Sequence, residues 1–194
     1  MTKVRLGEHD ALLVLDVQND FLPGGNLSVA VSEAVIPVLN GCIARFSAQG
    51  LPVYACRDWH PADHCSFLEN GGPWPPHCIA GTHGAEFSPA LSLPPETPVL
   101  SKGSLRDREA YSAFDGTELA NLLGKGKVDR IFIGGLTTDY CVLNSVKDAS
   151  KLGFTIFVLM DATKAVDLHP GDGKAALEAM KSHGAIFLES GEIA

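Results

Sequence analysis

The chain has 194 residues, of which 45% are hydrophobic and 20% charged, and its net charge is −8. That length suits one domain spanning residues 1–194 with a full core, and scattered Lys and Arg on an acidic background argue against nucleic acid or an anionic membrane as partner. Residues 1–10 are polar and no apolar run approaches the roughly 20 residues a membrane helix needs, so no membrane role and a cytoplasmic location are expected; a homo-oligomer is not excluded.

In chain order, Ala11–Leu15 reads as a buried strand that stops at Asp16. A helix is predicted over Ser32–Gln49 from Val35, Leu39, Ile43 and Phe46, with Gly50 placed to end it. A strand follows at Pro52–Cys56, and a short one opens at Val99 and ends near Lys102. The rest of the series is a helix at Glu118–Leu123, a strand at Arg130–Ile133, a helix at Asp139–Leu152 ended by Gly153, a strand at Phe154–Leu159, a helix at Gly173–His183 and a strand at Ala185–Leu188. Six strands separated by helices or crossovers predict a Rossmann-like parallel sheet covered on both faces, a three-layer α/β/α domain. Residues 59–98 break the pattern, with many Pro, Gly and His; segments that long are usually functional or disordered. Trp59, Phe67, Trp74 and Phe87 argue for order here.

Parallel sheets hold ligands beyond the carboxyl ends of their strands. Those ends carry Asp16, Asp58 followed by His60, Lys102, and the run Gly134-Gly135-Leu136-Thr137-Thr138-Asp139-Tyr140-Cys141. Cys141 falls in the first turn of a predicted helix, where free N–H groups favour a thiolate and lower the thiol pKa. Asp16, behind four aliphatic residues, is placed to act as general base and then acid, with Lys102 holding it and the thiolate by charge. The five cysteines contain no C-x-x-C pair, and at least four read as small buried hydrophobes. Asp58 and His60, two apart in extended chain, face one way. With either His64, four residues on, or His77 they would make one Asp and two His, a donor set for zinc, iron or manganese. His9, His83, His169 and His183 read as surface residues.

With these motifs the chain resembles the nicotinamidases, within the isochorismatase-like cysteine hydrolases. The matching stretches are Leu15-Asp16-Val17-Gln18-Asn19-Asp20-Phe21 with Pro23-Gly24-Gly25, Arg57-Asp58-Trp59-His60-Pro61, Trp74-Pro75-Pro76-His77-Cys78, Ser101-Lys102-Gly103 with Tyr111-Ser112-Ala113-Phe114, and Gly135 through Val142. The resemblance implies a catalytic triad of Asp16, Lys102 and Cys141. It further implies an oxyanion hole at the N–H groups of Thr137 and Cys141, with a cis peptide between Leu136 and Thr137. Phe21, Leu27, Trp74 and Tyr111 become the walls of a pyridine pocket. Asp58, His60 and His77 become ligands of one divalent ion, zinc first, with His64 as a candidate fourth. Tyr140 stands where some members carry His. The implied reaction takes nicotinamide, and pyrazinamide as an analogue, to the acid and ammonia through a Cys141 thioester.

Two other readings compete. One keeps the triad and changes the substrate to another small amide or a carbamoyl compound. The other is a flavodoxin-like binding module, which lacks the G-x-G-x-x-G loop it would need.

Overall fold

The computed structural model describes residues 3–194. Its centre is a six-stranded, all-parallel sheet made of β1 (Asp10–Leu15), β2 (Val53–Asp58), β3 (Val99–Lys102), β4 (Arg130–Leu136), β5 (Thr155–Lys164) and β6 (Ile186–Leu188). The strand order is β3-β2-β1-β4-β5-β6, so the sheet is wound in both directions from β1 and the order reverses between β1 and β4. That reversal opens the crevice where this class of sheet binds its ligands.

Strand residues alternate between two cores because successive side chains leave opposite faces. Leu12 and Val14 of β1 join Phe132 and Phe157 in one cluster, under α1 (Val35–Ala48) with its Leu39, Ile43 and Phe46. Leu13, Leu15, Ile131, Ile133 and Val158 point into the other. There α2 (Leu119–Lys125), α3 (Leu143–Lys151) and α4 (Asp172–Ser182) cover the sheet through Leu123, Val146 and Met180. These are the three layers expected. Among the described residues no helix is long and apolar enough to cross a membrane.

Element boundaries move by a few residues. The predicted helix at Ser32 begins as a single 3-10 turn, Ser32–Ala34, before α1. The helix predicted at Asp139 begins instead as a wide π-type turn, Thr138–Val142, closed by the Val142 N–H donating to the Thr137 carbonyl at 3.0 Å; α3 follows it. Residues 59–98 are ordered without regular strands or α-helices. Phe67 and Trp74 are buried, and backbone bonds such as Trp59 N–H to the Lys102 carbonyl (3.0 Å) and Ser88 N–H to the Val17 carbonyl (2.9 Å) tie the segment to the strand ends. Cys65 is only partly buried, whereas Cys42, Cys56, Cys78 and Cys141 are enclosed.

Candidate active site

Four adjacent strands deliver the chemistry, since β3, β2, β1 and β4 lie side by side. Asp58 and Lys102 are register partners at the ends of β2 and β3. Asp16 follows β1 with its N–H still bonded to the Cys56 carbonyl at 2.9 Å, then turns the chain with φ +53°, a left-handed conformation that Asp tolerates. β4 passes so close to β1 that a Cβ on Gly135 would lie 2.0 Å from the Leu15 carbonyl oxygen. The chain continues through a cis Leu136–Thr137 peptide into the wide turn that carries Cys141.

Lys102 is the hub. Its buried ammonium lies 2.9 Å from Asp16 Oδ2, donates to Cys141 Sγ at 3.3 Å and to Asp58 Oδ1. Burial opposes its charge, but the Asp16 and Asp58 carboxylates outweigh burial and hold its pKa above the usual lysine value. Asp16 is fully buried, and among the described residues no well-aligned hydrogen bond reaches either of its oxygens. Desolvation therefore dominates over the Lys102 charge and raises its pKa to about 7. The Cys141 thiol is pushed well above its ordinary value, by burial first and the Asp16 charge second, with Lys102 opposing. This corrects the expectation of a lowered thiol pKa: the sulfur is buried within the wide turn, and desolvation exceeds the benefit of the helix start. The resting pair is a thiol beside a carboxylate close to its own titration point, able to pass one proton between them.

Asp58, His60 and His77 offer ligand atoms within 4.8 Å of one another, all buried. His60 Nδ1 donates to the Gly103 carbonyl at 2.8 Å and His77 Nδ1 to the Pro75 carbonyl at 2.9 Å, because a carbonyl can only accept. Each Nε2 lone pair is thereby left toward Asp58 Oδ2, at 3.8 and 4.0 Å. Those separations are too long for hydrogen bonds and close enough for the three atoms to converge on one ion after small side-chain adjustments. Orienting the rings through Nδ1 is the usual support of a histidine metal ligand, so the donor set fits a divalent ion. Burial opposes charge on Asp58, yet Lys102 and the two histidines hold its carboxyl well below the usual range. His64 falls outside this group. It stacks on His60 with ring centres 4.2 Å apart, accepts from the Ser66 hydroxyl at Nδ1 (2.7 Å) and donates from Nε2 to the Arg108 carbonyl (3.1 Å). Gly103, at φ +62°, has no room for a side chain: a Cβ would come within 2.4 Å of the His60 ring.

A cleft of about 310 Å³ opens over both groups, lined by Cys141, Thr137, Asp58 and His77 together with Phe21, Leu27, Trp74, Tyr111, Tyr140 and Val166. The aromatic walls brace one another. Trp74 Nε1 donates to the Tyr111 hydroxyl at 3.0 Å, and Tyr140 meets the Trp74 ring edge-on at 4.9 Å. His83, His169 and His183 are exposed, and His9 is half-buried.

Two buried residues here were quoted in the motifs without a role. Gln18 donates from Nε2 to the Asp58 carbonyl (2.7 Å) and the Ala85 carbonyl (2.9 Å), and its Oε1 accepts from the Asp58 N–H (2.8 Å). Its side-chain amide thus continues the sheet ladder after β1 has turned away at Asp16. Asp139 accepts backbone N–H groups from Val166 and Asp167. The only signal in sequence was a polar side chain three residues past a buried strand, which a solvent-facing loop explains equally well.

Residues 10–192 match the model of the isochorismatase domain. The chain is 36% identical to a nicotinamidase of Acinetobacter baylyi over 98% of its own length and 97% of that protein. It is similar to the solved structure of the pyrazinamidase of Pyrococcus horikoshii in complex with zinc, at 45% identity and TM-score 0.89, covering 93% of this chain and 99% of that one. A structure of PnC1 from L. infantum in complex with nicotinate aligns at 36% identity and TM-score 0.89, covering 99% and 98%.

Proposed function

Because the chain belongs to the isochorismatase domain family and its likeness to the nicotinamidases runs the whole length, we propose that it is a metal-dependent cysteine amidohydrolase that converts nicotinamide to nicotinate and ammonia, with Asp16, Lys102 and Cys141 as its triad. One observation carries the reading: a single aromatic-walled cleft is lined at once by the thiol and by two residues of the Asp58–His60–His77 donor set. A simple cysteine amidase needs the first alone. Zinc is the ion proposed, on the donor chemistry and on the zinc complex of the Pyrococcus horikoshii relative.

The ring lies between Phe21, Leu27, Trp74 and Tyr111, and its carboxamide carbon meets Cys141 Sγ. Asp16 takes the thiol proton while the Lys102 ammonium, 3.3 Å from sulfur, stabilises the forming thiolate. As the C–S bond forms, the amide oxygen takes up the charge and is received by the Thr137 and Cys141 N–H groups. Asp16 returns its proton to the amide nitrogen, the C–N bond breaks and ammonia departs. Water then gives one proton to Asp16 and attacks the thioester; the C–S bond breaks, the thiolate recovers that proton, and the released acid ionises to nicotinate in solvent. Asp58, His60 and His77 would hold a divalent ion, which when bound would supply Lewis acidity and a fixed positive charge suited to a ring nitrogen.

The direct assay is ammonia release from nicotinamide beside benzamide, a carbamoyl amino acid and pyrazinamide, before and after chelation. We expect turnover of nicotinamide and pyrazinamide, and its loss with the ion; full activity of ion-free protein contradicts the proposal.

The base must be unprotonated, so kcat/KM rises with pH to a limb near 7, set by the raised Asp16 pKa. Above it the rate stays level, since the thiol remains protonated to higher pH. A limb near 4 argues against Asp16 as base. Replacing Gln18 by Ala unpairs the Asp58 backbone on both sides. Divalent-ion affinity then falls about tenfold or more, read by competition with a chromophoric chelator, and unchanged affinity contradicts this role for Gln18.

A further inference from the structure

Asp139 stands two residues before the nucleophile and is buried, and both its oxygens are spent on one neighbouring segment. Oδ1 accepts the Val166 N–H at 3.0 Å and Oδ2 the Asp167 N–H at 2.8 Å. Asp167, itself at φ +49°, passes the tie onward: its Oδ1 accepts the Gly173 N–H at 2.7 Å, in the first turn of α4. Beside it, the Thr138 and Thr163 hydroxyls bond at 2.8 Å. The turn that carries Cys141 is thus fastened by its side chains to the chain leaving β5. Beyond Asp167 that chain is exposed through residues 168–171. Val166 is the residue of this segment that lines the cleft.

We propose that Asp139 is a specificity-determining positioning residue: through the Val166 N–H it sets the distance between the Val166 wall and Cys141, and so limits the cleft to small planar acyl groups. The carboxylate is suited to this because it accepts at both oxygens. An Asn of the same shape accepts at one only and turns an N–H₂ against a backbone N–H, which releases one of the two bonds and lets the wall move.

Cys141 alkylation tests this without depending on the natural substrate. Rates are measured with iodoacetamide and with N-phenyl iodoacetamide, in wild type, Asp139→Asn, Val166→Ala and the double variant. Each single variant is expected to raise the bulky-to-small rate ratio by about tenfold, a typical cost of a displaced contact in a pocket. The double variant should add little to either, since both act on one wall. With nicotinamide, the proposed substrate on which the next readout rests, Asp139→Asn should raise KM by about tenfold with a smaller effect on kcat. A protein that leaves nicotinamide untouched overturns the function reading, while the alkylation ratios still decide the Asp139 proposal. An unchanged ratio in Asp139→Asn, or single effects that multiply in the double variant, overturns it. If Asp139→Asn does not fold, an unchanged ratio in Val166→Ala does the same.

Discussion

Cys141→Ala will lower ammonia release from nicotinamide by about four to six orders of magnitude, the scale on which triad nucleophiles fail when removed. The side chain removed is small and sits in the wide turn between β4 and α3, so the sheet and both cores are untouched. Circular dichroism should match the wild type, and divalent-ion content should persist, because Asp58, His60 and His77 hold their ring and carboxylate contacts independently of sulfur. Keeping the ion separates this variant from a misfolded one. Steady ammonia release by Cys141→Ala would remove Cys141 from the mechanism.

The second large effect falls on Asp16. Asp16→Asn keeps the shape and abolishes the proton acceptor, so kcat/KM should drop by about 10³- to 10⁴-fold and the limb near 7 should vanish from the residual activity. Stability should move the other way. The folded pKa of Asp16 is raised to about 7 from an ordinary 3.8. Its contribution to stability is therefore fully present below the unfolded value and is lost as pH rises through about 7. Asn carries no such titration. In ion-free protein the Tm of the variant should gain on wild type as pH increases from about 4 to about 7. Lys102 retains the Asp58 carboxylate in the variant, so no buried ammonium is left unpaired. A Tm difference that is flat with pH would contradict the assignment of this titration to Asp16. The wild type would thus tolerate a destabilising buried carboxylate where the proposed mechanism needs a base, a common cost of an active site.

Much of the fold and of the site was legible from residues alone, for reasons the sheet makes plain. Parallel strands buried on both faces read as short apolar runs, so Leu12–Leu15 and Ile131–Ile133 announce themselves, and the residues just past each run fall on the ligand-binding edge. Asp16, Asp58, Lys102 and the approach to Cys141 all obey that rule. Helical periodicity cannot tell a π-type turn from an α-helical one over five residues, and that hid the actual setting of Cys141. The direction of its pKa depends on how much protein closes over the thiol, a property of the assembled fold. His64 shows the same limit from another side. Its type and spacing suit a ligand, yet its ring nitrogens are engaged by Ser66 and by the carbonyl of Arg108, forty-four residues away. Gln18 and Asp139 act on backbone groups brought near only by folding, so neither pattern nor spacing could assign them a task.

The measurement that bears most directly on the central claim is partitioning of the acyl group between water and hydroxylamine. If nicotinamide is hydrolysed through a Cys141 thioester, added hydroxylamine should divert product from nicotinate to nicotinohydroxamate. The ratio of the two should be the same whether the enzyme is given nicotinamide or methyl nicotinate, because both leave one common acyl-enzyme. Nicotinate as the sole product at every hydroxylamine concentration, or a ratio that changes with the leaving group, would contradict the account.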